Sequence, residues 1–85
     1  MKKKVYAVLD IEMKLFTDPF VLRNDVEAKK LFKSWLSKDY FNGCPVELYC
    51  LGDWCLDDLS YPFAVTIPKR VFVDDTVDDV EEQDG

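Results

Sequence analysis

The segment from Asn24 to Lys38, NDVEAKKLFKSWLSK, constrains the fold most because its periodicity predicts only one kind of structure. Placed at 100° per residue, its apolar side chains fall on one arc and its lysines on the opposite arc, as in an amphipathic helix. The apolar arc holds Ala28, Leu31, Phe32, Trp35 and Leu36, and the opposite arc holds Lys29, Lys30 and Lys33. One helix face should therefore meet a core, and the other should meet water or a partner.

The start of this helix carries a capping signal. Asn24 can accept a hydrogen bond from the free amides of the first turn. Glu27, three residues later, can reach back to complete a capping box. We therefore expect the helix to begin directly after Asn24.

Length and charge divide the chain into a small folded unit and a tail. Eighty-five residues with 48% hydrophobic and 14% aromatic side chains suit one globular domain. Residues 1–42 carry a net charge of plus three, whereas residues 43–85 carry minus nine. Residues 74–85 hold seven acids and no base. The sequence therefore predicts a single domain over 1–73 and a solvated acidic tail over 74–85.

Two strands are predicted before the helix. In the segment from Lys4 to Asp10, side chains alternate between the two faces of a strand, and both faces are largely apolar. This pattern favours a central strand. Lys14 to Thr17 can return as a second strand, so the chain should open with a hairpin. Asp18-Pro19 then ends the strand because proline lacks the amide that a ladder requires. Phe20 to Leu22 is predicted as an irregular link that closes one end of the core.

The segment after the helix offers alternatives. Asn42-Gly43 indicates a turn, and a strand should begin at Val46. Gly52-Asp53 could be a tight turn or a bulge. If the strand instead continues through Trp54, the turn lies at Asp57-Asp58.

The final strands contain prolines. Tyr61 to Thr66 alternates as a strand, and Pro62 within it points to an edge or a strand start. Pro68 should interrupt the pairing, leaving Val71 to Val73 as a last short strand. The whole pattern predicts an α+β fold in which one helix packs on a mainly antiparallel sheet of four to five strands, in ββαββ order.

The sequence gives little support for a catalytic or metal-binding site. The chain has no histidine, which removes the commonest general base and metal ligand. The acid pairs Asp57-Asp58, Asp74-Asp75 and Asp78-Asp79 could hold a hard cation, but a solvated turn and tail explain them better. We expect no enzyme activity, no metal and no cofactor.

The cysteines Cys44, Cys50 and Cys55 lack the paired spacing of zinc sites. No signal peptide or membrane span is apparent, so we expect free thiols in a reducing cytoplasm. Only a turn at Gly52-Asp53 would bring Cys50 and Cys55 together across a hairpin.

Basic and aromatic residues suggest contact with nucleic acid. Lysines on the helix and at the amino terminus could neutralise phosphates. Aromatic side chains could stack on unpaired bases. The basic candidates are Lys2, Lys3, Lys4, Lys29, Lys30 and Lys33; the aromatic ones are Tyr6, Tyr40, Phe41, Tyr49 and Trp54. On physical grounds alone, a solvated helix face and ordinary core aromatics explain these residues better.

A set of short motifs between residue 5 and about residue 71 carries a family resemblance. The residues concerned are Val8, Asp10, Pro19-Phe20, Asn24-Asp25, Ala28, Phe32, Leu48-Tyr49, Leu51-Gly52, Trp54 and Pro68. In these residues the chain resembles the small nonstructural protein of gokushovirus-type microviruses, which are bacteriophages with single-stranded DNA. The hairpin turn expected from that family contains glycine, whereas the segment Cys55 to Ser60 has none.

The resemblance implies a DNA-binding protein of the host bacterial cytoplasm that helps to direct genomes from replication to packaging. Its partner would be single-stranded DNA or the viral replication complex. The basic candidates named above would then neutralise phosphates, and Tyr49 and Trp54 could stack on bases if they are exposed; these basic candidates are Lys2, Lys3, Lys4, Lys29, Lys30 and Lys33. The alternative is an acidic interaction module that engages a basic host or viral protein. An exposed strand edge could also pair with a second copy to form a homodimer.

Overall fold

The computed structural model describes residues 2–73, which form one α-helix and an antiparallel β-sheet. The α+β class is therefore confirmed, although three strands rather than two precede the helix. The tail predicted for 74–85 lies outside the described residues. The elements are β1 (Lys2–Asp10), β2 (Leu15–Phe16), β3 (Phe20–Leu22), α1 (Asp25–Ser37), β4 (Val46–Cys55) and β5 (Phe63–Val71).

Strand β1 lies at the centre of the sheet, as its two apolar sides predict. It pairs with β4 along one edge and with both β2 and β3 along the other, and β5 pairs with the far edge of β4. The prediction of an irregular link at Phe20–Leu22 was wrong, because Phe20 pairs with Tyr6 and Leu22 with Lys4. Pro19 interrupts this edge only locally, and the backbone pairs with β1 again once it has passed the proline.

Strand β4 continues to Cys55, which rules out the tight turn at Gly52-Asp53. Gly52 instead follows a bulge, since Val5 pairs with Gly52 and Tyr6 with Cys50. The turn after β4 is built without glycine. The Asp58 carboxylate accepts hydrogen bonds from the backbone amides of Ser60 and Tyr61, both at 3.0 Å.

Strand β5 passes through Pro68, so the predicted interruption there was wrong, and Val71 ends this strand rather than starting another. Gly52 pairs with Val65 and Cys50 with Lys69, which leaves Thr66, Ile67 and Pro68 opposite one residue of β4. A proline is tolerated there because β5 is an edge strand and is irregular at that point. Whether either sheet edge pairs with a second copy stays a prediction.

Helix α1 has the predicted cap, with one difference in its partner. The Glu27 amide donates to Asn24 Oδ1 at 3.0 Å. The Glu27 carboxylate, however, accepts from the backbone and side chain of Arg23 rather than from the Asn24 amide. Both hydrogen bonds lower the pKa of Glu27, and the one from the Arg23 backbone amide has the larger effect. The cap therefore joins the helix to the end of β3.

The end of α1 is a Schellman motif. The Tyr40 amide donates to the Trp35 carbonyl at 2.9 Å, and the Asp39 amide donates to the Leu36 carbonyl at 3.1 Å. Asp39 takes the left-handed conformation, with φ 56°, that glycine usually supplies at this position. The motif turns the chain back so that Tyr40 and Phe41 lie against the helix.

The core lies between α1 and one face of the sheet. Ala28 and Phe32 are the buried helix residues, while Leu36 at the margin of the predicted arc is exposed. The buried cluster comprises Tyr6, Val8, Ala28, Phe32, Leu48 and Val71. Because the helix covers only this face, the opposite face of the sheet is left to other side chains.

Candidate nucleic-acid interface

Cross-strand register shows which residues lie on the face opposite the helix. Residues directly opposite one another in antiparallel strands share a face, and successive residues alternate. Tyr6 and Val8 point to the helix, so Val5 and Ala7 belong to the other face. Both are buried, at 3% and 0% exposed. Larger neighbouring side chains must therefore cover them.

Aromatic side chains surround these two small residues. Tyr49 lies opposite Ala7, and Trp54 lies opposite Lys3. Phe16 is paired with Leu9, and Phe63 is paired with Trp54. Four rings contributed by three strands therefore share the face that the helix leaves open.

The bulge in β4 is what places Tyr49 and Trp54 together. In a regular strand, residues five apart point to opposite faces. The register shift between Cys50 and Gly52 adds one residue, Leu51, so that Tyr49 and Trp54 share a face. A glycine inside a strand signals such a bulge, and only the pairing shows that the strand continues beyond it.

The rings form two clusters along the face. The Phe16 and Tyr49 ring centroids are 5.5 Å apart at an interplanar angle of 84°. Trp54 and Phe63 are 6.3 Å apart at 45°. Phe16 is 44% exposed and Phe63 is 37% exposed, while Tyr49 and Trp54 are half-buried. Each cluster thus combines a half-buried ring with an accessible one.

Cationic groups lie beside both clusters. Lys3 is opposite Trp54. Arg70 is opposite Tyr49, and its guanidinium lies 3.0 Å from the Glu47 carboxylate and 4.7 Å from the Phe72 ring centroid. The Tyr49 hydroxyl donates to Glu47 at 3.1 Å, and this hydrogen bond raises the pKa of Tyr49. Glu47 thereby holds Arg70 and Tyr49 in place on the face.

Only three of the predicted binding residues share this face: Lys3, Tyr49 and Trp54. Lys2 and Lys4 lie opposite Cys55 and Asp53 and point to the helix side of the sheet. The three helix lysines also lie on that side of the sheet, away from Tyr49 and Trp54. They are Lys29, Lys30 and Lys33.

Tyr6 was an incorrect candidate for stacking. It is fully buried in the core, and its hydroxyl bonds to Asp25. Tyr40 and Phe41 pack beside the helix, on the other side of the sheet from Tyr49. The sequence did not indicate Phe16, Phe63 and Arg70 as members of this surface. Which face of the sheet each side chain lies on depends on strand pairing and on the register shift in β5 near Pro68.

The charge of the described part differs from that of the whole chain. Residues 2–73 contain all eleven basic residues and ten of the seventeen acids, which makes a net charge of plus one. The remaining seven acids lie in 74–85. The net charge of minus six for the whole chain therefore does not describe the surface around the sheet.

The cysteines stay apart in the structure. Cys44, Cys50 and Cys55 are free thiols. Cys50 and Cys55 lie on the same strand, and their partners Tyr6 and Lys2 are four residues apart on β1. The two cysteines are therefore about 13 Å apart, which exceeds the roughly 7 Å limit for a disulfide. Between residues 2 and 73 no three Cys, Asp or Glu side chains gather as a metal site would require.

No family model matches this chain, and no curated protein or solved structure matches it either. Within the part of the chain that the structure describes, no helix has the length and apolar character needed to span a membrane.

Proposed function

We propose that this chain is a non-enzymatic protein that binds single-stranded DNA across the sheet face opposite its helix. The observation that carries the proposal is the shared face of Tyr49 and Trp54, with Lys3 and Arg70 beside them. Sequence-tolerant binding of single strands uses this combination of stacking rings and nearby cations.

The spacing of the rings suits separate bases. Tyr49 and Trp54 lie about 13 Å apart along β4, because their partners Ala7 and Lys3 are four residues apart on β1. Each ring would therefore stack on a different nucleotide. Phe16 and Phe63 extend the two platforms. Stacking contributes about 1–3 kcal/mol per base, which allows two platforms to bind despite few phosphate contacts.

The resemblance to the small nonstructural proteins of gokushovirus-type microviruses supports a wider role. In that role the protein acts in the cytoplasm of an infected bacterium on viral single-stranded DNA or on the replication complex. It would assist the change from genome replication to packaging. The chemistry required is binding alone, and no cofactor enters the proposal.

Fluorescence anisotropy with a labelled oligothymidine tests the proposed surface. Trp54→Ala or Tyr49→Ala should weaken binding about 5- to 150-fold, the equivalent of one lost stack. The matched control changes charge on the other side of the sheet, by converting Lys29, Lys30 and Lys33 to Gln. That variant should bind within about threefold of the parent. Circular dichroism checks that each variant folds.

Two outcomes would reject this placement. Absence of binding even at low salt would remove direct DNA contact altogether, since phosphate contacts are strongest there. Loss of affinity in the triple-lysine variant, with the Trp54 and Tyr49 variants unaffected, would move the interface to the helix face that the sequence predicts.

The salt dependence separates the two surfaces independently of mutation. For single strands, log Kobs falls with log salt at a slope of about −0.7 per phosphate neutralised. Contacts by Lys3 and Arg70 alone give a slope of about −1.4, whereas all six predicted lysines give about −4. A slope near −4 would contradict binding through the sheet face.

The division of charge favours one second candidate, an acidic module for a basic protein partner. Residues 74–85 carry seven acids and no base, next to a folded part with almost no net charge. Binding to a synthetic oligolysine, measured with and without 74–85, addresses it. Equal binding by both chains would leave the tail with a solubilising role.

A further inference from the structure

A cavity of about 230 Å³ opens on the helix side of the sheet, away from the proposed DNA-binding face. Its walls are the rings of Phe20, Trp35, Tyr40 and Phe41, with Val8 of β1 among its lining residues. The Schellman motif that ends α1 places Tyr40 and Phe41 there. Asp18 also lines this cavity, and it lies on the exposed segment before Pro19.

The rings meet at right angles and form a corner. Phe20 and Trp35 have centroids 5.3 Å apart at 81°. Trp35 and Phe41 are 6.0 Å apart at 84°, and Tyr40 and Phe41 are 5.1 Å apart at 87°. Rings set in this way present both faces and edges to a compact group. A rounded group can therefore contact several of them at once.

A flat base fits this arrangement poorly. The near-parallel pair is Trp35 and Tyr40, at 24°, but their centroids are only 5.5 Å apart. Stacking a planar ring between two others requires about 7 Å, which is twice the contact distance of carbon atoms. The cavity is also smaller than the roughly 300–1,000 Å³ of typical ligand sites. It suits a group the size of a side-chain head.

The charge of the lining favours a cation. Aromatic ring faces carry partial negative charge and attract organic cations placed over them. Asp18 is the one acidic residue among the residues that line the cavity, and none of them is a lysine or arginine. The Thr17 hydroxyl already accepts from the Val8 amide at 3.0 Å and donates to the Asp18 carbonyl oxygen at 3.3 Å. The ring faces and Asp18 are therefore the groups that a ligand would meet.

We propose that this cavity binds an alkylated ammonium group, such as the head of choline or a methylated lysine side chain. The rings contact its methyl groups and Asp18 balances its charge. The site is independent of DNA binding, because its residues lie on the opposite side of the sheet.

The two tryptophans supply an internal control for the test. Trp35 lines the cavity, whereas Trp54 lies on the other face of the sheet. In ¹H–¹⁵N spectra of the full chain, titration with choline should shift the Trp35 indole signal and leave that of Trp54 in place. The neutral isostere 3,3-dimethyl-1-butanol should bind at least about tenfold more weakly. A trimethyllysine peptide beside its unmodified form distinguishes a protein source of the ammonium from a free small molecule.

Variants locate the interaction within the cavity. Asp18→Asn keeps the shape and should weaken choline binding severalfold, and Tyr40→Ala should weaken it about tenfold. Tyr61→Ala, at an exposed ring outside the cavity, should change nothing. Equal affinity for choline and its neutral isostere would overturn the proposal, and so would shifts of equal size at Trp35 and Trp54.

Discussion

The hydroxyl of Tyr6 donates a hydrogen bond of 2.6 Å to the Asp25 carboxylate, and this bond ties the central strand to the first turn of the helix. Tyr6 is fully buried, and its ring stacks with Phe20 at 6.1 Å. A buried hydroxyl requires a partner. Asp25 supplies one at the helix N-terminus, where a negative charge is also favourable.

Tyr6→Phe removes this hydrogen bond and little else. We expect the free energy of unfolding to fall by about 1–2 kcal/mol, because the acceptor is charged but half-buried. Urea denaturation followed by circular dichroism measures the change. Tyr61→Phe serves as the control, since the Tyr61 side chain is 74% exposed. An unchanged midpoint for Tyr6→Phe would show that the bond contributes nothing to stability.

The burial and hydrogen bond of Tyr6 should also make the free energy of unfolding depend on pH in the alkaline range. Burial, and then the hydrogen bond to Asp25, raise the pKa of Tyr6 well above its usual value of 10.0. The unfolded chain therefore releases this proton first. Stability from Tyr6 is complete below pH 10 and is lost as pH rises above it, by up to about 1.4 kcal/mol per pH unit. The advantage of the parent chain over Tyr6→Phe should shrink above pH 10, and a constant difference would contradict this.

Gly52→Ala should disrupt the bulge in β4. Gly52 is buried with φ 157°, and an added Cβ would overlap the Ala64 carbonyl oxygen and come within 3.0 Å of the Phe63 ring. We expect a loss of at least about 2 kcal/mol from overpacking and backbone strain.

The matched control for this change is Gly43→Ala. Gly43 has φ 77° but open space around its Cα, so only the conformational cost of about 1 kcal/mol applies. Thermal unfolding compares the two variants. Equal losses would mean that the close approach of β5 to Gly52 is relieved at no cost.

Asn24→Ala tests the helix cap. Removing the acceptor for the Glu27 amide should cost about 1 kcal/mol. Asn24→Asp keeps an acceptor oxygen at the same place and should retain most of the stability. Chemical denaturation of both variants provides the comparison. If alanine and aspartate behave alike, the cap makes no net contribution.

Local sequence signals predicted the elements that depend on neighbouring residues. The capping pair Asn24 and Glu27 marks the helix start, and the apolar runs on both sides of β1 mark the central strand. The predictions of an irregular link at Phe20–Leu22 and of an interrupted strand at Pro68 were wrong. The effect of a proline on the backbone is confined to adjacent residues, whereas strand pairing depends on residues far apart in the sequence. The backbone next to a proline can still pair when a distant strand is in register.

The sequence by itself determined one amphipathic helix, a central apolar strand and a separation of acidic charge, since these follow from periodicity and composition. Only the tertiary structure decided which side chains share a surface. Tyr49 and Trp54 are an odd number of residues apart, and a regular strand would place them on opposite faces. The bulge at Leu51, defined by pairing with β1, brings them to one face and leaves the helix lysines on the other.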